Sequence, residues 1–102
     1  MKMLLHETFD PLRNLLEEEQ LAGFMAMAVY LNSRGDEVYT YKHIITRNYI
    51  NVDLDGNIYH YTPGAGTDSS DYRRVALDDV IAEFAAAGFP LHLRDRLSGK
   101  LP

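Results

Sequence analysis

Four histidines, His6, His43, His60 and His92, are the side chains of this sequence best suited to move a proton near neutral pH. None lies four residues from another, so no helical pair of metal ligands exists. The alternation around His43 and His60 places both on strands, and the register expected between those strands sets them on opposite faces of one sheet. A shared metal is therefore not expected. His43, among tyrosines, is expected to be a part-buried residue bonded to one of them. His60, beside Asn51 and near Asp53, is the best candidate for a general base, because a carboxylate can orient an imidazole; a polar, solvent-facing role is the plainer reading.

The other constellations fail on spacing. Asp53-Leu54-Asp55-Gly56-Asn57 has the look of a calcium loop, but Gly precedes the third ligand and position 12 would be Gly64, not Glu. Ser69 and Ser70 have no strand–turn–helix elbow around them. Gly64-Ala65-Gly66-Thr67 lacks the Lys of a phosphate loop. Arg34-Gly35-Asp36 falls in the turn-like run Asn32–Asp36 and reads as a chance match to an adhesion tripeptide. Cysteine is absent, which removes disulfides and thiolate chemistry. No catalytic residue, cofactor or metal is assigned.

Tyrosine is the informative excess, with seven in 102 residues. The expected pairing puts Tyr39, Tyr41, Tyr59 and Tyr61 on one face. A buried tyrosine needs a partner for its hydroxyl, so some of these belong at the sheet rim, where tyrosines anchor protein contacts.

The element that positions them is Tyr49–Tyr61. Asp55-Gly56 suits a two-residue type I′ turn, which needs positive φ at both central positions. That turn sets Val52 opposite Tyr59, Ile50 opposite Tyr61 and Asn51 opposite His60. Glu37–Ile45 alternates as a preceding strand; a tight turn at Arg47-Asn48 pairs His43 with Val52 and Lys42 with Asp53. Phe24–Leu31, a continuous apolar run, reads as either a buried strand or a buried helix; its length and the preceding Gly23 favour a central strand, its Ala and Met content a helix, and Tyr72–Leu77 is a candidate short edge strand. Met1–Thr8 is either a short strand or the lead-in to a helix.

Two helices flank this sheet. Asp10 as cap and Pro11 at the first position start one that runs to Gly23, with Leu12, Leu15, Leu16 and Leu21 inward and Glu17, Glu18 and Glu19 outward. Asp78 caps the second, Asp79–Ala87, whose stripe is Val80, Ile81, Phe84 and Ala85 and which Gly88-Phe89 closes. Thr62–Asp71 is loop, and Leu91–Pro102 is a last edge strand or a tail. The expectation is a single α+β domain over residues 1–102: an antiparallel meander of three to five strands with an N-terminal and a C-terminal helix packed on one face.

Net charge is −5, concentrated early: residues 1–37 carry three basic and seven acidic side chains. Phosphate binding needs clustered Lys and Arg, so nucleic acid is disfavoured; it would require Arg47, Arg73, Arg74, Arg94 and Arg96 to converge. With no apolar run near membrane-spanning length and no secretory leader, a cytoplasmic location is expected and no membrane partner. The expected function is binding of a protein partner, in the manner of small inhibitors, immunity proteins, phage or mobile-element regulators and adaptors. Glu17, Glu18, Glu19, Tyr39, Tyr41, Tyr59 and Tyr61 are the expected contact, and a homodimer is a variant of it. An enzyme using His60 or His43 in a helix–sheet cleft is the alternative.

Overall fold

A computed structural model describes residues 2–63 and 71–94. Six strands run in chain order through one antiparallel sheet: β1 (Lys2–Leu5), β2 (Phe24–Leu31), β3 (Glu37–His43), β4 (Tyr49–Val52), β5 (Ile58–Thr62) and β6 (Asp71–Val75). β3, β4 and β5 are the strands expected from alternation, Phe24–Leu31 takes the strand alternative, the edge strand expected near Tyr72 is β6, and Met1–Thr8 supplies β1. Helix α1 (Asp10–Arg13), a 3-10 helix (Glu18–Gly23) and α2 (Leu77–Ala86) complete the described chain. Gly64–Thr67, Ser69, Ser70, Arg96 and Lys100 lie outside the described residues.

The first helix is a single turn, not the long helix its leucines suggest. At about 100° per residue, Leu21 would sit roughly 180° from Leu12 on a straight helix. Breaking the helix lets Leu12, Leu15, Leu16 and Leu21 all enter one core. Glu17 is extended, and its N–H donates to the His92 carbonyl at 2.8 Å. The Arg94 N–H donates to the Leu15 carbonyl at 3.1 Å, bridging Leu16 to Leu93. Gln20 clamps the same returning segment, donating to the Pro90 carbonyl and accepting from the His92 N–H. Asp10 is the first helical residue and not the cap; its carboxylate pairs with Arg13 at 2.8 Å, while its N–H donates to Thr8 Oγ1.

Helix α2 starts at Leu77 with Ala76 as the flanking residue, so Asp78 lies inside the first turn and makes no cap. Its far end is as expected: Gly88 takes φ of +87°, the Phe89 N–H reaches the Phe84 carbonyl, and the Gly88 N–H reaches Ala85. Val80 and Phe84 are fully buried against Phe24, Ile50, Val52 and Ile58, while Ala85 is exposed.

The strand registers differ from expectation in two instructive ways. β3 pairs with β4 as Tyr39↔Val52, Thr40↔Asn51, Tyr41↔Ile50 and Lys42↔Tyr49. Expectation set Lys42 opposite Asp53 and the structure sets it opposite Tyr49, a slip of four residues, which is even. The apolar set Tyr39, Tyr41, Ile50 and Val52 thus keeps its face, but Lys42 lies over the Tyr49 ring instead of facing Asp53. The wider loop is held by His43 and by Arg47, whose φ is +67°.

β4 pairs with β5 as Asn51↔Tyr59 and Val52↔Ile58. This slip is one residue, and it turns β5 over: Tyr59 lies opposite Asn51, and Val52 and Tyr59 point to different sides. The cause is the loop. Only Gly56, at φ +90°, has left-handed backbone there, so a type I′ turn is excluded. The Gly56 N–H closes a turn on the Asp53 carbonyl and the Asp53 N–H reaches Asn57, a three-residue loop ending in a glycine bulge.

A bulge between Ala26 and Val29 adds curvature, with Thr40 Oγ1 both accepting from and donating to the Ala28 backbone. In a flat sheet β2 and β6 would lie about 19 Å apart across four spacings. Here the Tyr30 and Tyr72 ring centroids are 5.0 Å apart, and Asn32 donates to the Tyr72 carbonyl. The helix-free face therefore curls over a second core of Val38, Tyr59 and Tyr72.

Candidate functional site

The turned-over β5 separates the tyrosines. Tyr41 is fully buried on the helix side, its hydroxyl donating to the Thr8 carbonyl at 2.9 Å, and burial raises its pKa. Tyr39 beside it is half-buried. Tyr59 is buried inside the curl and donates to Asp53 at 2.8 Å. Burial, opposed by a hydrogen bond to Arg74 and reinforced by Asp53, pushes its pKa up to about 12. Tyr61, on the same side as Tyr59, stays exposed. The expected single tyrosine face is thus corrected to two, and Tyr41 and Tyr59 are closed to a partner.

The acidic residues are likewise not a helix face. Glu18 is held between Arg13 at 3.2 Å and Arg94 at 3.6 Å. Glu17 is half-buried on extended chain, and Glu19 is exposed with no ion-pair partner among the described residues.

His43 is buried but bonds no tyrosine. Its Nδ1 accepts from the Thr46 N–H at 3.1 Å, and its ring packs on Phe24, Phe84 and Phe89. Burial lowers its pKa. His60 lies on the helix side, away from Asp53, because β5 is turned over. Its carboxylate is Glu83 of α2 at 3.2 Å, beside a cleft of about 470 Å³ where β4 and β5 separate beyond Asn51. His6 packs edge-on against Tyr39 and Tyr41, and neither ring nitrogen has a hydrogen-bond partner among the described residues. No metal-binding group of three ligands occurs among the described residues.

The described arginines do not converge. Alternation along β6 puts Arg73 on the His60 side and Arg74 on the Tyr59 side. Arg94 is at Glu18, and Arg47 is on the β3–β4 loop. No helix among the described residues is long and apolar enough to cross a membrane.

What does converge is apolar. Met25, Lys42 and Tyr49 form a cross-strand row on the helix-free face, and the β4–β5 register continues that row toward Tyr61. Met25 is 43%, Tyr49 40% and Tyr61 49% exposed. Ile44 and Ile45, 48% and 68% exposed, cap the same end on the β3–β4 loop, which the Ile44 N–H ties to the Gly23 carbonyl at 2.8 Å. The 3-10 helix bearing Glu18 and Glu19 leads directly into this corner. Sequence reasoning missed Ile44 and Ile45 by extending β3 through them. The signal was the pair itself, two adjacent branched residues that cannot share one face of a strand.

Comparison with protein-family models, with curated proteins and with solved structures finds no match.

Proposed function

We propose that this chain works by binding another protein, through the sheet end formed by Met25, Ile44, Ile45, Tyr49 and Tyr61, with Glu17 and Glu19 as its acidic flank. The supporting observation is that these exposed apolar side chains all lie at the end of the sheet that carries the β3–β4 loop, on a small acidic molecule, since exposed apolar groups gathered near charge mark interaction sites. The partner's chemistry follows from the same corner: an apolar pocket for Ile45 and Tyr61, basic residues to meet the acidic flank, and acidic groups to meet Lys42 in the row and Arg47 on the loop. Inhibitors, immunity proteins, phage or mobile-element regulators and adaptors act in this way, by occlusion and charge complementarity. A cytoplasmic setting is part of the reading, and a second copy of the chain is the alternative occupant of the surface.

Burying Ile45 fully stabilises a complex by about 1.5–3 kcal/mol. Ile45→Lys should therefore weaken the complex with a cross-linked and identified partner at least tenfold. Leu54→Lys, at the opposite end of the sheet and 57% exposed, should leave it unchanged. Equal affinity of Ile45→Lys and wild-type protein would exclude this corner, and a concentration-dependent dimer by light scattering would name the second copy instead.

A second reading has one observation behind it. His60 and Glu83 form an imidazole–carboxylate pair beside an open cleft, the arrangement an acid–base enzyme uses. Both side chains are substantially exposed, at 35% and 47%, which suits a surface ion pair equally well and ranks this reading second.

A further inference from the structure

We infer that the cleft between the C-terminal end of α2 and the adjoining ends of β2 and β3 binds a neutral aromatic molecule carrying a hydrogen-bond acceptor, held by the Nε2–H of His43. The cleft measures about 290 Å³ and is lined by Gln20, Gly23, Phe24, His43, Phe89 and Leu91, with Glu19 and His92 also contributing. Its one buried polar side chain is His43, 7% exposed.

The tautomer of that histidine is fixed by its backbone neighbour. The Thr46 N–H donates to Nδ1 at 3.1 Å, so Nδ1 must carry the lone pair and the neutral ring's hydrogen sits on Nε2. No acceptor for this N–H exists among the described residues. Nε2 lies 3.2 Å from where a Cβ on residue 23 would stand, so the absence of a side chain at Gly23 is what leaves the N–H open to the cleft. His43 therefore presents a donor and no base. The geometry suits recognition and gives no route for proton abstraction at this position.

The ligand class follows from the walls. The rings of Phe24 and Phe89 pack on the imidazole at 5.0 and 4.9 Å, so the three rings make one continuous aromatic wall along the cleft. A cavity of roughly 150 Å³ already accepts benzene, so this one suits one or two rings. Glu19 at the rim disfavours an anion, and the inward Nε2–H of His43 calls for a lone pair and repels a cation, which together select a neutral acceptor. This cleft lies on the helix side of the sheet and adjoins the corner proposed for a protein partner, with Glu19 at the rim of both; its ligand touches none of Met25, Ile45, Tyr49 or Tyr61, so Ile45→Lys should leave benzamide binding unchanged.

Benzamide, toluene and benzoate titrated into the full-length chain with 15N-labelled histidine test it. Benzamide should shift the His43 ring resonances saturably and give nuclear Overhauser contacts to Phe24 and Phe89, while toluene, which has no acceptor, and benzoate should each bind at least tenfold more weakly. Gly23→Ala is compatible with the backbone, since Gly23 is not among the positive-φ residues. It should abolish the shift while the rest of the amide spectrum stays as in the wild type. His43→Gln, whose amide still offers a donor, should retain benzamide contacts to the two phenylalanines even if Gly23→Ala perturbs folding. No saturable shift up to the solubility of benzamide, or equal binding of toluene and benzamide, would overturn the assignment.

Discussion

Removing the carboxylate of Asp53 should cost this protein about 2–4 kcal/mol, a large share of a small domain's stability. Asp53 is 7% exposed and accepts four hydrogen bonds: from the Asp55 N–H, the Asn57 N–H and Asn57 Nδ2, each at 2.9 Å, and from the Tyr59 hydroxyl at 2.8 Å. The bonds are unequal in consequence. Asp55 is exposed and Asn57 half-buried, so in Asp53→Ala their N–H groups turn to water and together lose about 1 kcal/mol. The Tyr59 hydroxyl keeps the bond it accepts from Arg74, but its own proton loses its acceptor in a residue only 1% exposed, which costs about 1–3 kcal/mol more. Tyr59→Phe alone should cost about 1 kcal/mol, and in the double variant the orphan is gone. The two changes should thus be less than additive by about 1–2 kcal/mol. Urea denaturation followed by far-ultraviolet circular dichroism measures all four proteins. Burial alone would raise the Asp53 carboxyl, but the bonds from Asn57, Tyr59 and Asp55 outweigh it and hold the pKa below the ordinary 3.8. The folded-state pKa being depressed, its contribution is present above about 3.8 and is lost as pH falls through the folded value. The gap between wild type and Asp53→Asn should therefore narrow in acid. A cost of Asp53→Ala under about 0.5 kcal/mol, or strict additivity with Tyr59→Phe, would refute the claim that this carboxylate clamps the loop.

Two further outcomes follow from buried and strained groups. Burial lowers the pKa of both His6 and His43; for His6 it outweighs nearby backbone groups of Thr40, Thr8 and Ala28 that favour the charged form. Stability held in full above the unfolded value of about 6.5 is lost as pH falls below it, so urea midpoints should drop between pH 7.5 and 5 and His6→Phe should flatten that drop; a midpoint independent of pH would contradict this. Arg47 holds φ of +67° without being glycine, so Arg47→Gly should raise stability by about 0.5–1 kcal/mol, read as a higher melting temperature; a lowered one would show that its side chain matters more than its backbone.

The strands and the second helix were legible because each rests on local chemistry. Alternation marked β3 to β5, the length of the apolar run after Gly23 leaned toward β2, and Gly88-Phe89 marked the end of α2 through a cap that needs only neighbouring residues. The first helix was not, because its break is made by a partner 70 residues away. The chain returns at Pro90–Arg94 to bond Leu15, Glu17 and Gln20, and no local pattern announces that visit. Leu21 carried the one available hint, its angular position off the stripe of Leu12, Leu15 and Leu16. The contact residues expected for a partner divide similarly. Tyr61 and Glu19 are exposed, whereas Tyr41 and Tyr59 are buried by the curl and by helices whose placement depends on distant pairings.

The sheet shows why register, more than strand identity, decides which side chains reach the surface. Between β3 and β4 the expected pairing slips by four residues and every side chain keeps its face, because the strand period is two. Between β4 and β5 it slips by one, and everything beyond the loop changes sides. That odd step carries His60 from Asp53 to Glu83, buries Tyr59 in the second core and extends the Met25–Lys42–Tyr49 row toward Tyr61. A two-residue turn and a three-residue turn with a glycine bulge use the same Asp-Gly pair, so the pair alone cannot choose between them. Asp53 chooses, by bonding Asp55, Asn57 and Tyr59 in a geometry that the longer loop allows. The side chain that sets the loop therefore also sets which surface is apolar, and a substitution at Asp53 should reach the corner proposed for a partner through β5 without touching it.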